Sequence, residues 1–115
     1  MSSPTQRTLK LLRDEGYTAQ VVERWCSFTK RRHDLFGIID VLAIKDGETL
    51  AVQTTSGSGV SARLKKMLAS DTLEQILKAG WNVHIHGWRK TKVKRGGKAM
   101  RWNVRLIDVR DEIEF

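Results

Sequence analysis

The sequence predicts one α/β domain built in the order helix, three strands, helix, two strands. Three observations carry that expectation. An opening leucine stripe has helical spacing, two short apolar runs are joined by Asp46-Gly47, and a longer helical stripe precedes two further β-like runs. At 115 residues the chain is long enough for one core and too short for two, so a single domain over 1–115 is expected.

The first helix is read over TQRTLKLLRDE. Leu9, Leu11 and Leu12 line one side, Thr5 or Ser3 is the N-cap, Gly16 is the stop, and only the first four or five residues look loose. Ala19 to Cys26 (AQVVERWC) is β-branched and aromatic enough for a strand. The following SFTKRRHD has no period and reads as a loop. Ile38 to Ile44 and Thr49 to Thr55 are apolar runs separated by Lys45-Asp46-Gly47-Glu48, and Asp-Gly supplies the positive φ angles of a tight hairpin. Both runs are apolar on both faces, so each strand is expected to be covered on two sides. Ala62 to Ala79 then carries Leu64, Met67, Leu68, Leu73, Ile76 and Leu77 at helical spacing, with a break expected near Ser70-Asp71. Trp81 to Trp88 and Arg101 to Val109 complete the sheet, turning at Gly96-Gly97.

Composition narrows the partners. Lys and Arg outnumber Asp and Glu by 21 to 13, a net charge of +8 with a pI near 10.1, which points to a polyanion. The basic residues are clustered. Lys30, Arg31 and Arg32 form one group, and 89–105 holds eight Lys or Arg and no acid, among them Arg89, Lys90, Lys92, Lys94, Arg95, Lys98 and Arg101. A projecting basic hairpin with Trp88, Met100 and Trp102 beside it suits a phosphate backbone, so DNA is the expected partner. No run of about 18 apolar residues and no signal-peptide core are seen, so no membrane partner and a cytoplasmic location are expected. Cys26 has no second cysteine to pair with and reads as a small buried apolar residue. His84 and His86 read as partly exposed strand residues beside DNA, and the four tryptophans as core.

One residue breaks the apolar pattern. Asp40 lies between Ile39 and Val41, where a carboxylate is tolerated mainly when it is paired or holds a cation. Side chains alternate along a strand, so Asp40 shares a face with Ile38 and Leu42, and Gln53 and Thr55 share one with Ala51. A hairpin turned at Asp46-Gly47 brings all three polar groups to one end of the sheet, the expected place of a metal site.

Asp40 in an apolar strand, a turn, and a second strand with a polar pair two residues apart, all set between helices, resembles the PD-(D/E)XK nuclease superfamily. The stretches DLFGIID and LAVQTTS are similar to its small Holliday-junction-resolvase-like and phage-type branch. The resemblance covers roughly residues 5–90. It implies an αβββαβ restriction-endonuclease-like core with a central mixed sheet flanked by helices, followed here by the C-terminal basic hairpin. It further implies Mg2+- or Mn2+-dependent hydrolysis of a DNA phosphodiester, on a junction or flap, and a homodimer by analogy. Asp40 takes the place of the family's metal-binding Asp, Gln53 that of its second acidic ligand, and Thr55 that of its Lys. Gln keeps an oxygen for a hard cation without the charge, and Thr cannot replace an ammonium. Lys65 or Lys66 on the second helix, or Lys30, are the candidates to supply the cation, while Glu23 and Asp34 are the nearby acids able to complete the metal shell. Gln6 stands where many members carry an acid on the first helix. Two other readings stay open: a catalytically degenerate DNA-binding module, and a small phage-type interaction protein.

Overall fold

In the computed structural model, which describes residues 3–113, the leucine stripe forms α1 (Pro4–Asp14). Ser3 caps it by accepting from the Gln6 amide at 3.2 Å, and Pro4 opens it, where a missing N–H costs nothing. Residues 4 and 5, expected to be loose, therefore belong to the helix, and residues 1 and 2 lie outside the described residues. Leu9 and Leu12 pack one sheet face against Ala19, Val41, Ala43, Leu50 and Val52.

The main sheet has five strands. β1 (Thr18–Val21) lies at one edge, and the two-residue turn joins β4 (Val41–Lys45) to β5 (Glu48–Ser56). Lys45 pairs with Glu48 across Asp46 and Gly47, whose φ angles of 49° and 82° give the mirror-image turn that Asp-Gly favours. The chain then crosses through α2 (Val60–Leu68) and α3 (Asp71–Lys78) to β6 (Asn82–Lys92), which runs parallel to β5. The helical stripe does break at Ser70, which caps α3 by accepting from Thr72 N at 3.3 Å. The last strand, β7 (Met100–Asp108), returns antiparallel on the outer edge, giving the order β1-β4-β5-β6-β7. On the face opposite α1, residues such as Met67, Ile76, Val83 and Ile85 form the larger core. The chain is thus an α/β fold with a five-stranded mixed sheet and three helices.

Several expectations are corrected. The strand read over Ala19 to Cys26 is two strands. β1 is followed by β2 (Arg24–Cys26), which leaves the main sheet to pair with β3 (Arg31–His33), so the basic segment is not a loop. The reason lies in β4: its ladder starts at Val41, because Leu35 to Ile39 fold into a turn closed by a Leu35–Ile39 bridge, and beyond Val22 β1 has no partner left. Ile38 and Ile39 remain buried in that turn rather than extended in the strand. Leu50 to Thr54 of β5 are all buried, but β4 is covered less fully, with Ile44 53% exposed near the open hairpin turn. Cys26 is half-buried on the small hairpin rather than in the core, and Trp25 and Trp102 are exposed while Trp88 is buried. No described helix is long and apolar enough to cross a membrane.

Candidate metal centre and basic surface

Asp40 immediately precedes β4 and is still held by both neighbouring strands. Its amide donates to Val52 O at 2.9 Å and its carbonyl accepts from Val22 N at 2.8 Å. The side chain is 4% exposed and accepts three hydrogen bonds at Oδ2: from Thr54 N at 2.8 Å, Thr54 Oγ1 at 3.1 Å and Gln53 Nε2 at 3.1 Å. Gln53 Nε2 also donates to Asp34 Oδ2 at 3.3 Å. One oxygen from each of Glu23, Asp34 and Asp40 lies within 4.8 Å of the others, and this is the only such acidic, histidine or cysteine group among the described residues. Asp40, Asp34, Glu23 and Gln53 are therefore brought together, as their positions in the sequence led one to expect.

Two further carboxylates stand close to the buried Asp40. Burial pushes the Asp40 carboxyl up to about 7, the Thr54 amide works against that, and the neighbouring Asp34 and Glu23 push it further up. Arg32 Nη1 compensates in part by donating to Glu23 Oε1 at 3.0 Å, an arginine that sequence reading assigned to DNA. Gln53 is 1% exposed, and its Oε1 is buried with no hydrogen-bond partner among the described residues. A buried carbonyl oxygen left unpaired costs free energy, and it belongs to the amide whose Nε2 end faces Asp34 and Asp40, so exchanging the two ends of that amide turns the oxygen toward them. A hard divalent cation suits this donor set, taking carboxylate oxygens and a side-chain carbonyl.

Other candidates fall elsewhere. Among the described residues Thr55 makes no hydrogen bond to the carboxylates: Asp40 accepts from Gln53 and Thr54, one from each face of β5, while the Thr55 hydroxyl lies against Gly59 at the start of α2. Thr54 in turn pairs with Thr5 of α1, Oγ1 to Oγ1 at 2.9 Å, so Thr5 and not Gln6, which is exposed, links the first helix to the site. Both threonines were missed. The adjacent polar pair Thr54-Thr55 on a strand buried on two faces was the available signal, since one of the two must face each side. Lys65 and Lys66 are exposed on α2 and Lys30 is exposed in the β2–β3 turn, and no hydrogen bond or ion pair joins any of them to the carboxylates among the described residues.

Behind the site runs a second buried polar chain. Trp88 Nε1 donates to Thr8 Oγ1 at 2.9 Å, and Thr8 Oγ1 is 3.1 Å from His86 Nδ1. His86 is 1% exposed beneath α1, which corrects the expectation of a histidine beside DNA; burial holds its pKa down to about 4, and His84 adds to this. His84 is partly exposed, with Nε2 3.7 Å from Asp108 Oδ2.

The basic hairpin leaves the sheet at the carboxylate end. β5 ends at Ser56 beside Trp88, and β6 continues to Lys92, about 13 Å further at 3.3 Å per residue. Arg89, Lys90, Lys92, Lys94, Arg95, Lys98 and Arg101 are all exposed there. Arg7 of α1 stacks 3.4 Å over the Trp102 ring, and Lys90 stands 5.6 Å from the same centroid. Comparison of the chain with protein-family models, curated proteins and solved structures returns no match.

Proposed function

We propose that this chain is a Mg2+- or Mn2+-dependent DNA endonuclease of the PD-(D/E)XK kind, with a restriction-endonuclease-like core, acting on branched or flapped DNA. The observation that carries it is the meeting of Glu23, Asp34 and Asp40 within 4.8 Å, with the buried Gln53 amide against two of them and its Oε1 left unpaired, at the sheet end from which the basic hairpin projects. Asp40, Asp34, Glu23 and Gln53 would hold the cation, which when bound polarises a scissile phosphate and lowers the pKa of a water. Thr54 fixes the Asp40 carboxylate, and Arg32 offsets charge on Glu23. Arg89, Lys90, Lys92, Lys94, Arg95, Lys98 and Arg101 supply the phosphate contacts that bring the backbone to the carboxylates. A homodimer and a cytoplasmic location belong to the same reading.

The second reading is a nuclease-derived DNA-binding module without turnover. It is favoured by the neutral Gln53 and by the absence, among the described residues, of a lysine bonded to the carboxylates. A cleavage assay separates the two. Mn2+-dependent nicking of a four-way junction or flap, abolished by Asp40→Ala, supports the enzyme; retained nicking in Asp40→Ala removes Asp40 from the mechanism. Salt-sensitive binding with intact DNA in every divalent ion identifies the module.

A further inference from the structure

Two of the three clustered acids flank the small β2–β3 hairpin. Glu23 immediately precedes Arg24, Asp34 immediately follows His33, and Arg24 pairs with His33. The hairpin is thus mounted on the carboxylates. Its turn is closed by Lys30 N donating to Cys26 O at 2.9 Å, with Lys30 at φ 58°, and Thr29 Oγ1 lies 2.9 Å from His33 Nε2. At the turn Phe28 is 95% exposed, and Trp25 on the stem is 60% exposed. A phenyl ring left this far in water contributes nothing to the core. Lys30 and Arg31 beside it, and Arg24 at the base of the stem, are exposed cations, so the hairpin combines an apolar ring with charge complementary to a phosphate backbone.

We propose that the β2–β3 hairpin is a DNA wedge, in which Phe28 enters the base stack at a branch, nick or flexible step while Arg24, Lys30 and Arg31 hold the flanking phosphates. Apolar side chains inserted between bases unstack and kink DNA in this way, and unstacking costs least where pairing is already interrupted. The stem and turn span about 10–15 Å, or about three to four base steps, between the ring and the carboxylates. The wedge would therefore set which phosphodiester, a few nucleotides from the opened step, lies at Asp40. This inference rests on the nuclease reading above and names its substrate class, interrupted duplex DNA.

The test uses a nicked or three-way duplex carrying 2-aminopurine beside the discontinuity, with wild type, Phe28→Ala and Phe28→Leu. Phe28 is outside the core and outside the metal site, so Phe28→Ala should keep the fold and its Mn2+ binding. The wild type is expected to raise 2-aminopurine fluorescence; Phe28→Ala should abolish the rise and weaken binding about tenfold, with Phe28→Leu partly restoring both. Equal affinity and equal fluorescence in Phe28→Ala overturn the wedge, and if the wild type still cuts, the nuclease reading stands without it. Opening of the DNA by wild type with no cleavage in Mn2+ sinks the nuclease reading and leaves the wedge in a binding module. A Phe28→Ala defect confined to anionic phospholipid vesicles assigns the ring to a membrane surface and overturns the wedge.

Discussion

The backbone amide of Thr54 donates to the Asp40 carboxylate at 2.8 Å, and the hydroxyl of the same residue reaches the same oxygen at 3.1 Å. At the point where the β4 ladder gives way to a turn, a side chain takes the place of a backbone acceptor. Thr54 thereby fixes a carboxylate whose ionisation burial and two neighbouring acids disfavour.

The two largest pKa shifts in the site and behind it oppose one another, and burial of His84, which lowers its pKa, adds in the direction of His86. The Asp40 carboxyl is raised from 3.8 to about 7, so the folded state binds more protons than the unfolded state, and stability falls as pH rises through that window. His86 is lowered from 6.5 to about 4, so the folded state binds fewer, and stability is gained as pH rises from about 4 to 6.5. The wild type should therefore change less between these limits than a variant lacking the Asp40 carboxyl. Asp40→Asn removes the falling part: urea denaturation should show stability rising with pH up to 6.5, and a gain over wild type of roughly 1–3 kcal/mol above pH 7. A variant whose curve parallels the wild type would show that Asp40 is not the strained carboxyl.

A second prediction concerns how α2 meets the sheet. A Cβ on Gly87 of β6 would run into Val60 Cγ2 at the start of α2 and stand 3.4 Å from Gly57 Cα. Gly87→Ala must push the start of α2 off the sheet, at a cost of roughly 1–3 kcal/mol by chemical denaturation. An unchanged midpoint would mean that the helix start yields freely.

What the sequence made legible follows from how local each signal is. Asp46-Gly47 dictates its turn through backbone φ alone, and Asp40 stands out because a charge in an apolar run is costly wherever the run folds. Ser70 likewise marks a helix start by its own hydroxyl. The β2–β3 hairpin was not legible, since strands of three residues carry no period and their pairing depends on where β4 begins. The burial of His86 depends on Thr8, 78 positions away, and on α1 lying over that part of the sheet. Asp40 accepts from both Gln53 and Thr54, which point to opposite faces of β5, so strand alternation alone could not select Thr54 over Thr55.

The basic hairpin makes a salt-dependent prediction. Replacing Lys92, Lys94 and Arg95 by alanine should weaken DNA binding without regard to sequence and lower the slope of log K against log salt by about 2 to 3. Fluorescence anisotropy over a salt series measures both. An unchanged slope would take those side chains off the phosphate path.

The most direct measurement of the carboxylate centre is Mn2+ binding followed by electron paramagnetic resonance or calorimetry, with and without uncleaved DNA. Wild type is expected to bind Mn2+ saturably and more tightly with DNA phosphates present, to gain thermal stability above pH 7 on adding the ion, and to lose all three in Asp40→Asn and Asp34→Asn. Mn2+ binding of equal strength in wild type and both variants, or none in wild type even with DNA bound, would contradict a cation site at Glu23, Asp34 and Asp40.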